Sequence, residues 1–208
     1  MLDETRESFR KVADMISHQA KEQSIRSVVV TGVTPRCGTT TTAVAIAKEL
    51  ASLAGLRTLL VDLNVRRPGV ARLLQKEVSS PMAWDAIENM PADGKVGTSS
   101  SVPRLSILSA PANAAVSAEL VRSINERAAK CADIVLFDTP PLLGYADAFV
   151  AAGMSQGMVL VVEAGQTPFE VIDRVKHEVG VRGVTLLGAV LNKHRRIIPG
   201  WIYRIFAR

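Results

Sequence analysis

The residues with the clearest chemical potential lie in one stretch, residues 28–42, which reads VVVTGVTPRCGTTTT. A β-branched run from Val28 to Thr31 predicts a buried strand, and apolar residues at helical spacing predict a helix from Thr39 to Leu53. The loop between them consists of Pro35, Arg36, Cys37 and Gly38. A strand, a tight loop and a helix N-terminus direct free backbone N–H groups and the positive end of the helix dipole toward an anion. The stretch therefore predicts a phosphate-binding loop.

Two threonines at the start of this helix decide what the loop can do. Thr39 occupies the position at which a phosphate-binding loop of this kind carries a lysine. Thr40 stands where the magnesium-binding hydroxyl belongs. The run of threonines also fits a simple helix N-cap, so the loop alone does not establish a nucleotide site.

Further polar residues follow other predicted strands. Asp62 ends one apolar run, Asp138 ends another, and Asn192 follows the last. In a parallel sheet, the carboxyl ends of the strands meet at one edge, where ligands bind. Carboxylates there would hold the water shell of Mg²⁺, although each aspartate also fits a strand-end cap. The convergence of these residues with the loop predicts a nucleotide triphosphate site.

The order of elements predicts the fold class. Strands are predicted at 28–31, 57–62, 105–109, 133–138, 157–163 and 184–191, and helices at 3–22, 39–53, 70–75, 117–130, 146–154 and 168–179. Residues 78–104 mix Pro, Gly and Ser and predict a surface excursion, with a helical patch at Trp84 to Asn89. Alternating strands and helices, with near-continuous apolar strands, indicate an α/β fold with a doubly wound, mainly parallel sheet flanked by helices.

Composition limits the class of protein. The chain of 208 residues is predicted to be a single domain, 1–208, with no apolar run near the roughly 20 residues that span a bilayer. A charged N-terminus without a signal-peptide core and two cysteines without zinc spacing predict a cytoplasmic protein. The net charge of +5 comes from the basic and aromatic tail, residues 193–208, which has no acidic residue. This local charge argues against a nucleic-acid-binding face. The tail is either a packed terminal helix or a segment that contacts a membrane surface or a partner.

Four segments resemble motifs of the bacterial tyrosine kinases (BY-kinases). Residues 59–68, LLVDLNVRRP, resemble the second Walker motif L-L-I-D-x-D-x-R-x-P, and residues 135–141, VLFDTPP, resemble Walker B. Residues 191–193 resemble the N-K pair after the last strand, and residues 7–10 resemble the N-terminal helix of ring assembly. The DTPP and RRP segments favour this family over the related MinD and ParA ATPases. The resemblance implies a P-loop ATPase fold.

The resemblance also implies a set of site residues and partners. Nucleotide-binding positions would be Pro35, Arg36, Cys37, Gly38, Thr39, Thr40, Thr41, Arg66 and Asn192. Catalytic positions would be Asp62, Asn64 and Asp138, and magnesium ligands Thr40, Asp62 and Asp138. Cofactors would be ATP or ADP with Mg²⁺ if nucleotide binding is retained. The implied partner is a membrane polysaccharide co-polymerase, a chain-length determinant, at the inner face of the plasma membrane. Residues 1–22 would mediate homo-oligomer assembly.

The chain departs from the family pattern in several places. The family reads P-G-E-G-K-S-T where residues 35–41 read PRCGTTT, so the lysine is Thr39 and the first loop glycine is Arg36. The second acid of the D-x-D pair is Asn64, which cannot accept a proton as a general base. The third charge of the E-x-x-R-x-x-R motif is Ala13, and the tyrosine-rich tail is absent. These losses favour a pseudokinase with lost or weak phosphoryl transfer.

Two alternatives remain at this level. The chain could be a working tyrosine kinase or ATPase that uses Arg36, or a residue of a neighbouring subunit, as its cation. A MinD- or ParA-like positioning ATPase would require an additional lysine early in the loop, where Thr34 and Pro35 stand.

Overall fold

The computed structural model describes residues 2–74, 82–83, 102–109 and 115–194. The strands are β1 (Ser27–Gly32), β2 (Thr58–Asp62), β3 (Met82–Ala83), β4 (Leu105–Ser109), β5 (Ile134–Asp138), β6 (Gly157–Glu163) and β7 (Leu186–Asn192). The helices are α1 (Leu2–Glu22), α2 (Thr39–Ser52), α3 (Val70–Leu73), α4 (Ala118–Ala128), α5 (Asp147–Gly153) and α6 (Phe169–Val181). The helical patch predicted at Trp84 to Asn89 and residues 195–208 of the predicted tail lie outside the described residues.

All the strands belong to one sheet, in the order β3-β4-β2-β5-β1-β6-β7. Every pairing of neighbouring strands is parallel. The carboxyl ends of β1, β2, β5, β6 and β7 therefore meet at one edge of the sheet. The pairing of β2 with β5 places Asp62 directly opposite Asp138, and β6 pairs with β7 so that Glu163 faces Asn192.

Apolar residues bury both faces of this sheet because successive strand residues point to opposite sides. One face packs α1, α2 and α3 through residues such as Ile16, Ile46 and Val70. The other face packs α4, α5 and α6 around Phe137 and Val175. Both faces being covered is what near-continuous apolar strands predict, and it confirms the doubly wound α/β class.

The strands β4 and β6 have the predicted bounds, and the boundaries of the other predicted elements differ from the predicted ones by at most two residues. The predicted helix 70–75 has only four residues, Val70–Leu73. The predicted helix 117–130 begins one residue later because Ser117 is its N-cap, with the hydroxyl accepting a hydrogen bond from Leu120 N at 3.2 Å. The short strand β3, within the predicted surface excursion, was not expected, since two paired residues leave no periodic pattern.

Within the described ranges, no helix combines the length and the apolar composition that crossing a bilayer would need.

Candidate nucleotide-binding site

The phosphate loop, residues 33–38, joins β1 to α2 with the backbone shape that anion binding requires. Gly38 has a φ of 95°, in the left-handed region that glycine adopts readily, and α2 begins at the next residue. The first-turn residues Thr39, Thr40 and Thr41 line an open cavity of about 990 Å³. The amides of this turn have no partner within the helix, so they are donors for an anion in the cavity.

Arg36 has a backbone conformation that favours glycine. Its φ is 65°, a left-handed conformation that costs a non-glycine residue about 1 kcal/mol or more. Its side chain is exposed and lines the cavity. The arginine thus contributes to the wall of the cavity, and the space beside the loop stays open.

The Thr39 side chain lies against the underside of the loop. Its hydroxyl is 3.4 Å from the sulfur of Cys37, which is completely buried. A Cβ atom added to Gly32 would lie 2.5 Å from this hydroxyl and 2.3 Å from the Cys37 sulfur, so the three residues fit closely together. At the position of the expected lysine, the loop therefore presents a small neutral group and no positive charge.

The loop is held from the far side by the two residues at the end of β7. Asn192 Nδ2 donates a hydrogen bond to the Cys37 carbonyl at 2.9 Å. Lys193 Nζ donates to the Arg36 carbonyl at 2.6 Å and forms an ion pair with Glu163 at 3.2 Å. These contacts fix the carbonyls of the loop, so its amides are directed to the opposite side. Asn192, predicted to bind nucleotide, contacts the loop backbone.

Asp62 organises the segment that follows β2. It is fully buried, and its carboxylate accepts hydrogen bonds from Asn64 N at 3.0 Å, Gly69 N at 2.9 Å and Val70 N at 3.1 Å. Burial raises the pKa of Asp62, and the three amides oppose that rise. Its oxygens therefore hold the backbone of residues 64–70 in place. This supports the interpretation of Asp62 as a strand-end cap.

Asp138 has the opposite environment on the neighbouring strand. It is fully buried, and neither of its carboxylate oxygens has a hydrogen-bond partner of ordinary geometry among the described residues. Burial and, next, the charge of Asp62 raise the pKa of Asp138 well above its usual range, while the nearby Thr40 hydroxyl opposes the rise. An unpartnered buried carboxyl beside the phosphate loop is a group that a ligand, an ion or water would satisfy.

The wall of the cavity carries arginines and, among the described residues, no acidic side chain. Arg36 comes from the phosphate loop, and Arg66, Arg67 and Arg72 come from the segment after β2. The Arg66 guanidinium lies over the ring of Tyr145, 5.1 Å from its centre. Four positive charges around one cavity favour a ligand with several negative charges.

The donor set fits magnesium through two of the three predicted ligands. Thr40 offers a hydroxyl, and Asp138 offers an unpartnered carboxyl of the oxygen chemistry that Mg²⁺ prefers. Asp62 is already used by backbone amides. The described residues contain no group of three or more His, Cys, Asp and Glu side chains that could hold an ion alone. Magnesium here would therefore depend on Thr40, Asp138 and oxygens of a bound phosphate.

The predicted convergence at one sheet edge is confirmed by the geometry. The phosphate loop, Asp62, Asp138 and Asn192 lie together there. Sequence reasoning did not assign Lys193, Arg67 or Arg72 to the site. The signal for Lys193 was its place beside Asn192, and the signal for the arginines was a basic run directly after a strand-end acid.

The parallel sheet, the loop before α2 and the strand-end acids define the chain as a protein with the P-loop ATPase fold. Solved structures support that class: MinD of Pyrococcus horikoshii, crystallised with Mg-ADP, superimposes with a TM-score of 0.63 at 17% identity, covering 86% of this chain and 76% of that one. No family model matches the sequence.

More specific similarity points to bacterial tyrosine kinases. Tyrosine-protein kinase YwqD of Bacillus subtilis is 29% identical over 198 residues, covering 89% of this chain and 80% of the relative. Tyrosine-protein kinase CpsD of Streptococcus agalactiae is 27% identical, covering 91% and 83%. The chimerical protein CapA2B2 superimposes with a TM-score of 0.75 at 23% identity, covering 90% and 84%. The resemblance to bacterial tyrosine kinases that the sequence predicted is therefore confirmed.

Proposed function

We propose that this chain is a BY-kinase-like cytoplasmic protein that regulates the biosynthesis and export of an exopolysaccharide or capsule, with lost or weak phosphoryl transfer. The observation that carries the proposal is the neutral Thr39 hydroxyl, packed beside Cys37 within a loop of intact backbone shape. Phosphoryl transfer depends on positioned charge around the transferring group. A loop that keeps its shape but has no lysine suits ligand sensing better than catalysis.

The segment after β2 supports the same conclusion. Asn64 takes the place of the second acid, and an amide does not accept a proton from a substrate hydroxyl. The Asp62 carboxylate accepts hydrogen bonds from three backbone amides. Asp138 is the remaining acid, and it is completely buried and is not among the described residues that line the cavity. None of the three therefore presents a free carboxylate to a substrate hydroxyl in the cavity.

The role in polysaccharide export rests on the relatives. Besides the tyrosine-protein kinases, one relative is the succinoglycan biosynthesis transport protein ExoP of Rhizobium meliloti. It is 26% identical over 197 residues, a match that covers 90% of this chain and 25% of ExoP. Succinoglycan is a polysaccharide, so this kind of domain occurs within a polysaccharide transport protein. We propose that the present chain acts on a membrane chain-length determinant, the co-polymerase, as a separate subunit. The tail at 193–208 would add a membrane or partner contact, and that part stays a prediction.

Helix α1 supports assembly with further copies. Ala13 and Ile16 are buried against the α2 face, and Arg6 pairs with Glu49 of α2 at 3.0 Å. Glu7 and Arg10 of the assembly motif are exposed on the same helix. The helix is thus fixed to its own domain while its motif charges face outward, as contact with a second copy would require.

The test compares nucleotide binding with turnover. Purified protein is titrated with ATP and Mg²⁺ by calorimetry, and phosphate release is measured with and without the cytoplasmic tail of the partner. We expect the wild-type chain to release phosphate no faster than Asp138→Asn. Thr39→Lys, which restores the lysine, is the positive control and should release phosphate faster than wild type. Wild-type turnover that Asp138→Asn abolishes would contradict the proposal.

The second candidate function is an active ATP-dependent tyrosine kinase or ATPase with a non-standard loop. The observation in its favour is the arginine-lined wall, which includes Arg36 of the loop itself. Loss of turnover in Arg36→Gln would support that candidate. The control is Arg174→Gln, at an exposed position of α6, which should retain turnover.

A further inference from the structure

The cavity beside the phosphate loop has two walls with different cation content. The loop contributes one arginine, at position 36, and a neutral hydroxyl at position 39. The segment after β2, which we call the arginine segment (residues 64–73), contributes Arg66, Arg67 and Arg72. Most of the positive charge around the cavity therefore belongs to the arginine segment.

The arginine segment lies directly against the start of α2. A Cβ atom added to Gly69 would be 3.1 Å from Thr40 Cγ2, so the backbone of the segment at Gly69 packs against the Thr40 side chain. Arg67 precedes Gly69 by two residues and Arg72 follows it by three, and both side chains are exposed. The two arginines thus lie on either side, in sequence, of the contact between Gly69 and Thr40 in the first turn of α2, where an anion would be bound.

The buried Asp62 holds this segment in place. It accepts hydrogen bonds from Gly69 N and Val70 N, and the Asn64 carbonyl accepts one from Arg67 N at 3.0 Å. Because these hydrogen bonds already hold the backbone, the arginines can contact a ligand without a large entropic cost of ordering the main chain. Asp62 is therefore a positioning residue for the arginines.

The guanidinium groups of Arg67 and Arg72 have no aromatic contact with another described residue, unlike that of Arg66. Arg66 stacks on Tyr145, and the backbone of Arg36 is held by Lys193. No ion pair joins Arg67 or Arg72 to another described residue. A guanidinium without a carboxylate partner at a cavity wall is suited to bidentate binding of phosphate oxygens.

We propose that Arg67 and Arg72 supply the positive charge for the di- or triphosphate group of a ligand at the phosphate loop, in place of the lysine that Thr39 replaces. The inference rests on the proposed retention of this loop as a ligand-binding site. The cation then comes from the arginine segment and not from α2, whose first-turn amides contact the same phosphates. The group bound is a polyphosphate, whether from a nucleotide or inorganic.

The experiment measures affinity by calorimetry with four probes: ATP, ADP, inorganic pyrophosphate and adenosine, each with Mg²⁺ and again in chelator. We expect Arg67→Gln and Arg72→Gln each to weaken ATP and ADP binding about tenfold, as loss of a charged hydrogen bond does. Adenosine should bind weakly to all variants. Binding of pyrophosphate to the wild-type chain would show that the polyphosphate alone is sufficient. Binding of ATP and ADP without binding of pyrophosphate would show that the nucleoside is also needed.

Matched variants separate local from general charge effects. Arg174→Gln removes one exposed arginine of α6, far in sequence from the site, and should change affinity less than twofold. Thr39→Lys in the double variant Arg67→Gln/Arg72→Gln should recover at least tenfold of the lost affinity, because it returns a cation to the same phosphates. Unchanged melting temperatures without ligand would show that the variants fold.

Two results would overturn the inference: polyphosphate affinity of the double variant within twofold of wild type, or no binding of any polyphosphate to the wild-type chain. A large loss in Arg36→Gln alone would assign the cation to the loop. These outcomes are distinct from the failure of the proposed function, which depends on turnover that Asp138→Asn abolishes. Binding can depend on Arg67 and Arg72 whether or not the phosphoryl group is transferred.

Discussion

The phosphate loop and the arginine segment both line one cavity, and they are stabilised in opposite ways. The loop is held by side chains that reach its carbonyls from β7, Asn192 and Lys193. The arginine segment is held by a buried carboxylate, Asp62, that accepts its amides. The first arrangement leaves amides for an anion, and the second leaves charged side chains. The comparison teaches that the shape of a phosphate site and its charge can come from different parts of the chain.

The largest expected effect separates the two strand-end acids. Asp62→Ala removes the acceptor of three amides and should lower the free energy of unfolding by roughly 3 kcal/mol. Asp138→Ala removes an equal volume without breaking a hydrogen bond to a described residue, so its loss should be smaller by about 2 kcal/mol. Urea unfolding of both variants measures the difference. Equal losses would contradict the assignment of Asp62 as the residue that folds the arginine segment.

The pH dependence of stability sharpens the same contrast. Burial and the Asp62 charge raise the pKa of Asp138 in the folded state, so the folded chain binds that proton more tightly than the unfolded chain. Its stabilising contribution is complete below the unfolded pKa of about 3.9 and is lost as the pH rises through the folded pKa. In chelator, the stability of wild type should therefore fall relative to Asp138→Asn from pH 4 upward. A constant difference between the two unfolding curves would argue against this environment for Asp138.

Backbone strain in the loop predicts a smaller effect of the opposite sign. Arg36→Gly should raise the free energy of unfolding by about 1 kcal/mol, because glycine adopts a φ of 65° without a steric penalty. Arg67→Gly, at a residue whose φ is not positive, should lower it by about 0.5–1 kcal/mol. Thermal unfolding of both variants measures the two signs. Destabilisation by Arg36→Gly would show that the side chain contributes more than the strain costs.

The smallest expected effect concerns the Lys193 contact with the loop. Lys193→Met removes the hydrogen bond to the Arg36 carbonyl, and about 1 kcal/mol of local stability corresponds to roughly fivefold faster amide exchange in the loop. Lys176→Met, at an exposed position of α6, is the control. Hydrogen exchange of residues 36–38 measures the change. Equal exchange in both variants would show that Asn192 holds the loop without Lys193.

Much of the fold followed from pattern, and the reasons are local. Continuous apolar, β-branched runs predicted β1 and β5, which are buried on both faces. Apolar residues at helical spacing predicted α2 and α4, because each helix buries one face. The strand β3 was missed because two residues have no period. The site was predicted as a convergence of strand ends, which a parallel sheet makes automatic.

The α/β class, the sheet edge of the candidate site and the threonine at the expected lysine position can all be read from the sequence. The contacts of the other polar residues depend on the folded chain. Asp62 and Asp138 end neighbouring strands in the same register, yet one carboxylate accepts hydrogen bonds from three amides and the other accepts none from the described residues. The physical reason is that hydrogen-bond partners and shared charge depend on how distant segments meet. The arginine segment packs on the Thr40 side chain at Gly69, a contact between residues distant in sequence that exists only in the folded chain.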